Sequence, residues 1–88
     1  MPRIRFTRRF LKSFERLPAP VQEKVKKQLA LLAENPRHPS LQTKPIRGAS
    51  GIYEARVDSD DRLTYERDEE DTLVLRGIVR QDEALKKP

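Results

Sequence analysis

The chain has 88 residues, of which 38% are charged and 35% hydrophobic, and its formal net charge is +5. This length is typical of one small domain, since most domains have about 100–150 residues. With no cysteine, the sequence excludes disulfides, a cysteine-based zinc site and a thiol nucleophile. No apolar run approaches the ~20 residues that span a bilayer. We therefore predict a single domain over residues 1–88, located in the cytoplasm and without a membrane partner.

The charge is unevenly distributed along the chain. Residues 1–47 contain 12 basic and 3 acidic side chains, whereas residues 48–88 contain 7 basic and 11 acidic ones. A basic surface of this kind attracts a polyanion and is screened by salt. A solvated helix surface is the alternative interpretation of the same pattern.

The first half of the chain predicts a strand and two helices. Ile4 and Phe6 alternate with arginines, which indicates a short strand, and Thr7 then offers an N-cap oxygen. Pro18 ends the first helix, and Pro20 suits the first turn of the second because its missing N–H has no partner there. The apolar stripes of the two helices are Phe10, Leu11, Phe14 and Leu17, then Val21, Val25, Leu29 and Leu32.

The second half predicts three strands after an irregular connection over residues 36–51. Tyr53 to Val57, Arg62 to Glu66 and residues 72–80 form these strands, separated by acidic turns. The predicted fold class is α+β, with the order β-α-α-β-β-β. An N-terminal strand and an αα-hairpin precede a three-stranded antiparallel meander. The helices cover one face of the sheet, and the other face is expected to stay open to solvent.

Strand alternation predicts which side chains share a face. The side under the helices should hold Tyr53, Ala55, Val57, Leu63, Tyr65, Leu73, Leu75 and Val79. The open face should hold Glu54, Arg56, Arg62, Thr64, Glu66, Arg76 and Arg80. An arginine cluster suits phosphate, because the guanidinium fork binds two oxygens and stays charged. The alternative is a cross-strand ladder of ion pairs in which Glu54 and Glu66 face Arg56 and Arg62.

Other candidate sites have weaker support. His38 is the only histidine and lies in a proline-rich loop, so no second histidine is present to share a metal. The acidic turns lack the glycine and distal glutamate of a calcium loop. We therefore predict neither a metal nor a cofactor.

These features together resemble the RelE/ParE superfamily of bacterial toxins from toxin–antitoxin pairs. The resemblance covers nearly the whole chain, from the phenylalanine-rich first helix and the break at Leu17 and Pro18 onward. It rests on the order and spacing of NPRHPSL at 35–41, GIYEARV at 51–57, RLTY at 62–65, LVLR at 73–76 and QD at 81–82. The family's fold is the β-α-α-β-β-β arrangement.

The resemblance implies a toxin that an antitoxin protein neutralises. RelE-like members cut mRNA on the ribosome without metal, by attack of a 2′-OH on the adjacent phosphate. By position, Arg62 matches the arginine placed on the scissile phosphate, Arg56 a second basic site, and Glu54 a base or cation. Arg80 would add positive charge, whereas Gln81 departs from the family, because relatives have a histidine or a cation there. Basic residues expected to contact RNA are Lys44, Arg47 and Arg76.

Two other functions are compatible with the same resemblance. A ParE-like toxin shares the fold but inhibits DNA gyrase and has no nuclease site. A catalytically silent member would bind only its antitoxin and, in that complex, operator DNA. Fold-level likeness does not separate these three functions, because function depends on the site.

Overall fold

The fold, described here for residues 3–80 from a computed structural model, is a five-stranded sheet with two helices. The strand order is β1-β5-β4-β3-β2; β1 runs parallel to β5, and the other neighbours are antiparallel. The elements are β1 Ile4–Phe6, α1 Arg8–Glu15, α2 Ala19–Glu34, a 3-10 turn Pro39–Leu41, β2 Lys44–Pro45, β3 Ile52–Arg56, β4 Asp61–Arg67 and β5 Leu73–Arg80. The predicted α+β class and element order are confirmed, and β2 is an additional edge strand within the connection.

The two helices begin where the sequence predicts. Thr7 caps α1, because its Oγ1 accepts a hydrogen bond from the Phe10 amide at 3.1 Å. The same hydroxyl donates to the Leu75 carbonyl at 2.8 Å, which ties the start of α1 to β5. Helix α2 begins at Ala19 with Pro20 in its first turn. Neither helix within residues 3–80 combines the length and apolar character needed to cross a bilayer.

The hydrophobic core lies between the helices and one face of the sheet. Phe10 of α1 and Val25 and Leu32 of α2 are almost completely buried against it. Complete burial of a side chain of this size contributes about 1.5–3 kcal/mol. The sheet and the connection contribute Leu41, Ala55, Val57, Leu63, Tyr65, Leu73, Leu75 and Ile78.

A β-bulge changes which side chains of β5 reach the core. Thr64 pairs with Gly77 and Tyr65 with Leu75, so Arg76 is the extra residue. An extra residue shifts the alternation of the strand by one position beyond it. The prediction that Val79 packs in the core is therefore wrong, and Ile78 occupies that place. Arg80 shares the alternation of Ile78, so its predicted position on the open face is also wrong.

The second face of the sheet is the one on which Glu54, Arg56, Arg62, Thr64 and Glu66 alternate outward from the core. It is less open than predicted, since Thr64 and Val74 are buried there at 0% and 3% exposure. The side chain of Arg9 on α1 contributes to this cover. A Cβ atom added to Gly77, the partner of Thr64, would lie 3.5 Å from Nε of Arg9.

Candidate functional site

The second face brings two arginines directly opposite each other. Arg56 of β3 and Arg62 of β4 are paired in register, a position in which Cβ atoms lie about 4.5–5.5 Å apart. Like charges at such positions destabilise a sheet unless an anion or a polar partner compensates them. Arg56 is half-buried, and Arg62 is only 8% exposed. This pair is the part of the predicted site that the sheet assembles directly.

Arg62 also has a structural role that the sequence did not predict. Its Nη1 donates to the carbonyl oxygen of Asp58 and, at 2.9 Å, to that of Asp61. Asp58 lies in the turn between β3 and β4, and Asp61 is the first residue of β4, so the guanidinium bonds to both ends of this turn. One nitrogen of its fork is thereby engaged by backbone oxygens.

Glu54 pairs with a different cation from the ones predicted. Its carboxylate is buried, and its Oε1 lies 3.4 Å from Nζ of Lys44 on β2. Glu66 contacts Arg76, with Oε1 and Nη1 3.2 Å apart. Cross-strand ion pairs therefore exist, but the predicted ladder is wrong, because neither acid is paired with Arg56 or Arg62.

The remaining predicted residues are dispersed. Lys44 and Arg76 are each held in the ion pairs just described, and Arg47 is exposed in the connection before β3. Arg80 pairs in register with Asp61 at the end of β5, on the core side of the sheet. Gln81 lies outside the residues that the structure describes. Of the predicted catalytic residues, the structure therefore places Glu54, Arg56 and Arg62 together on one face and separates Arg80 from them.

Strand alternation could not identify Arg9, which lies over Gly77 beside this face. It belongs to a basic cluster on α1, in which Arg8, Arg9, Lys12, Ser13 and Arg16 line one shallow depression. The spacing of four between Arg8, Lys12 and Arg16 was the available signal in the sequence. Only the packing of α1 against β5 shows how near Arg9 lies to the sheet.

The pKa values of Asp58, in the turn after β3, and of Asp61, at the start of β4, are shifted in opposite directions. Burial and the neighbouring Asp58 raise the pKa of Asp61 above its usual 3.8. Burial also acts to raise the pKa of Asp58, but backbone N–H groups of Asp61 and Asp60 donate to it at 2.8 and 3.0 Å. With Lys24 Nζ 3.6 Å away as well, the net effect is a lowered pKa for Asp58. This segment therefore holds one stabilised and one destabilised negative charge.

Neither His38 nor the acidic turns form a metal centre within residues 3–80, where no group of three or more suitable ligands is present. His38 instead caps the 3-10 turn, because its Nδ1 accepts from the Ser40 amide at 3.2 Å. The histidine thus has a local structural role.

Comparison with solved structures identifies toxins of the same fold. The chain is 26% identical to a chain of the RelBE2 toxin–antitoxin complex of Mycobacterium tuberculosis, and the match covers 92% of this chain and 100% of that one with a TM-score of 0.74. A chain of the intact RelBE toxin–antitoxin complex of E. coli is also 26% identical, and the match covers 90% of this chain and 95% of that one with a TM-score of 0.70. The YoeB/ParE toxin from Agrobacterium tumefaciens shares the fold at 17% identity, with coverage of 90% and 98% and a TM-score of 0.74.

A search of curated proteins found no significant match. The match to a family extends over residues 4–85 and is to the ParE toxin of type II toxin–antitoxin systems, parDE. That range includes every helix and strand described above, and the arrangement of these elements is shared with the solved toxins. This chain therefore belongs to the ParE toxin family within the RelE/ParE superfamily of type II toxin–antitoxin systems.

Proposed function

We propose that this protein is a toxin that cuts mRNA on the ribosome, without metal, and thereby inhibits translation in the cytoplasm. The observation that carries the proposal is the register pairing of Arg56 with Arg62 on the second face. Two guanidinium groups at opposed positions suit a bound phosphate, which would relieve the repulsion between them. Three further cations favour a polyanionic substrate, because Lys44 and Arg47 are exposed and Arg76 is half-buried.

The proposed chemistry is an internal transfer within the RNA. The 2′-OH loses its proton and attacks the adjacent phosphorus, the bond to the 5′-oxygen breaks, and that oxygen takes up a proton. The products are a 2′,3′-cyclic phosphate and a 5′-OH. Arg56 and Arg62 would stabilise the charge that develops on the phosphate oxygens. Glu54 is the proposed base, which requires that substrate binding displace Lys44 from its carboxylate.

Charge stabilisation is the larger part of this mechanism. Arg80 is on the core side of the sheet, and the amide of Gln81 cannot supply a titrating proton. We therefore expect a slow nuclease that depends on positioned cations more than on acid–base catalysis. Lys44, Arg47 and Arg76 are the proposed contacts to the RNA beyond the scissile phosphate.

The proposed neutralising partner is an antitoxin protein, as in the RelBE complexes with which this chain shares its fold. Phe6 at the end of β1 and Leu11 on α1 are exposed by 43% and 49%, and the same stretch of the chain carries the basic cluster of α1. An amphipathic segment with acidic residues would cover these apolar side chains and neutralise the arginines. Binding to operator DNA is proposed only for the toxin–antitoxin complex.

Inhibition of DNA gyrase is the second candidate function. The match to the ParE family favours it, and so does the engagement of Arg62 by two backbone carbonyls. In this case the second face would contact protein, and RNA would remain intact.

The two functions predict different results on induction and in purified reactions. We would label new protein and new DNA after induction, then incubate the purified toxin with programmed ribosomes and, separately, with gyrase. The nuclease proposal predicts cleaved ribosome-bound mRNA and arrested protein synthesis. Replacing Arg56 with Ala should lower the cleavage rate about 100- to 1000-fold, while Lys26→Ala on the exposed surface of α2 should not. Intact mRNA together with inhibited supercoiling would establish the gyrase function instead.

A further inference from the structure

A small cleft lies on the other side of β3 from the arginine pair. Its volume is about 220 Å³, and it is bordered by Pro36, Arg37 and Thr43 of the connection and by Pro45 of β2. Tyr53 also lines it, and this side chain alternates with Glu54 to the opposite side of the strand. The cleft is therefore separate from the face to which the nuclease proposal refers.

Two stacked tyrosines form the aromatic part of this cleft. The ring centroids of Tyr53 and Tyr65 are 5.7 Å apart and the rings are inclined by 24°, within the usual range for aromatic stacking. Tyr65 is 4% exposed, and its burial raises the pKa of its phenol. Tyr53 is 37% exposed. The buried ring thus supports an exposed ring that has room for a further partner.

Three cations, Arg37, Lys44 and Arg67, line the cleft together with the tyrosines. Nζ of Lys44 contacts Glu54, and Nε of Arg67 lies 3.1 Å from Oδ1 of Asp71. Arg37 is exposed and forms no ion pair with any residue between 3 and 80. Lys44 and Arg67 are thus each compensated by a carboxylate, and Arg37 supplies the excess positive charge beside the exposed aromatic ring.

We propose that this cleft binds one nucleotide, with its base stacked on Tyr53 and its phosphate held by Arg37 and Arg67. Pockets that enclose a whole small ligand have volumes of about 300–1,000 Å³, and this cleft is smaller. It therefore suits a single base, with the phosphate of the nucleotide lying outside the cleft. Aromatic rings beside cations bind single-stranded nucleic acid with little sequence preference, because every base presents a π-face. An acidic peptide would use the cations but would not require the exposed aromatic ring.

The nucleotide would belong to the same RNA that the proposed function places on the second face, and in this respect the inference rests on that function. Lys44 is on the edge strand β2, with its ammonium on the Glu54 side, and it also borders the cleft. An RNA strand passing over this edge of the sheet would meet Lys44 between the two sites. A free mononucleotide offers the same chemistry and is the alternative source of the ligand.

The sequence provides a selective probe for this site. It contains two tyrosines and no tryptophan, so the intrinsic fluorescence of the protein comes from Tyr53 and Tyr65 alone. We would titrate the purified protein with 5′-AMP, adenosine, inorganic phosphate and a short RNA. Free tyrosine would serve to correct for light absorbed by the nucleotide. We expect saturable quenching by AMP, with at least about tenfold weaker binding of adenosine and of phosphate because each lacks one half of the ligand.

Variants assign the signal to the cleft. In Tyr53→Leu the emission of Tyr65 should no longer respond to AMP, whereas Tyr53→Phe should retain binding because it keeps the ring. Arg37→Ala should weaken AMP binding at least about tenfold, and Lys26→Ala on α2 should leave it unchanged. Far-UV circular dichroism would confirm that each variant is folded. If equilibrium dialysis showed that Tyr53→Leu and Arg37→Ala bind AMP as tightly as the parent protein, the proposal would be overturned.

The outcome can be separated from that of the nuclease proposal. The titrations need no ribosome and can be repeated in Arg56→Ala, so nucleotide binding without any mRNA cleavage would leave this inference standing. If the protein cleaves mRNA but neither AMP nor RNA changes its tyrosine fluorescence, the nucleotide-binding inference is overturned and the nuclease proposal stands. A fluorescence change that occurs only with an antitoxin peptide would also overturn it. Tighter binding of the RNA than of AMP would identify RNA as the source, and equal binding a free nucleotide.

Discussion

Lys44 and Glu54 form an ion pair that joins the edge strand β2 to β3, with Nζ and Oε1 3.4 Å apart. The two partners differ in exposure, because the side chain of Lys44 is 65% exposed and that of Glu54 only 6%. The lysine therefore compensates a carboxylate that has little access to water. This relationship makes the stability of the sheet edge depend on an exposed residue.

The first prediction is that Lys44→Ala destabilises the protein by about 1–3 kcal/mol, since a buried acceptor loses its partner. Urea unfolding would measure the change. The matched control is Lys26→Ala, whose partner Glu23 is exposed and whose pair should contribute about 0–1 kcal/mol. Adding Glu54→Gln to Lys44→Ala should recover part of the loss. Equal effects of the two lysine variants would contradict the assigned role of Lys44.

The second prediction separates the two opposed arginines. Arg62→Ala should lower the free energy of unfolding by about 1–3 kcal/mol, because the carbonyls of Asp58 and Asp61 lose their donor. Arg56→Ala should cost less than about 1 kcal/mol, as expected for a side chain without such bonds. Thermal or urea unfolding of both variants provides the measurement. If Arg62→Ala is as stable as the parent, the guanidinium does not support the turn in solution.

The third prediction concerns the pH dependence of stability. Folding raises the pKa of Asp61. The stability that its protonated form contributes is therefore fully present below about pH 3.8 and is lost as the pH rises through the folded-state pKa. Asp61→Asn should therefore stabilise the protein at pH 7, and the gain should shrink as the pH falls toward 3.8. Urea midpoints measured from pH 3 to 8 would test this.

The fourth prediction is the opposite behaviour of Asp58. Folding lowers the pKa of Asp58. The stability that its ionised form contributes is therefore present above pH 3.8 and is lost as the pH falls through the folded-state pKa. Asp58→Ala should destabilise the protein at pH 7 by about 1–3 kcal/mol, since two backbone N–H groups lose a charged acceptor. The penalty should decrease in acid. A penalty that is constant over the same pH range would show that the charge of Asp58 is unimportant.

The fifth prediction concerns Gln28, which links α2 to β3. This side chain is 7% exposed, and its Nε2 donates to the carbonyl of Arg56 at 2.7 Å. Gln28→Leu should cost about 1–3 kcal/mol because that carbonyl loses its donor. Gln22→Leu is the control, since Gln22 bonds a carbonyl of α1 from a half-buried position. A larger loss for Gln22→Leu would show that the contact to Arg56 contributes little.

The order of the elements could be predicted from the sequence because its signals are local. The hydroxyl of Thr7 caps a helix that begins one residue later, and Pro18 and Pro20 separate the two helices through their own backbone constraints. The alternation around Ala55 and Tyr65 likewise predicted the strands and the face that packs under the helices, although Tyr53 on that face is 37% exposed and lies outside the core. Each of these signals lies within a few residues, so no knowledge of distant partners was needed.

The composition of the site was decided by tertiary structure. Residue types alone could not show that β5 bulges at Arg76, which moves Ile78 into the core and Arg80 away from Arg62. Nor could they show that Glu54 pairs with Lys44, since β2 was not recognisable in its connection. A bulge and an ion pair depend on which strand lies alongside, and that is settled only when segments far apart in sequence pack together. The sequence alone thus determined the architecture, whereas the register between strands determined which charges meet.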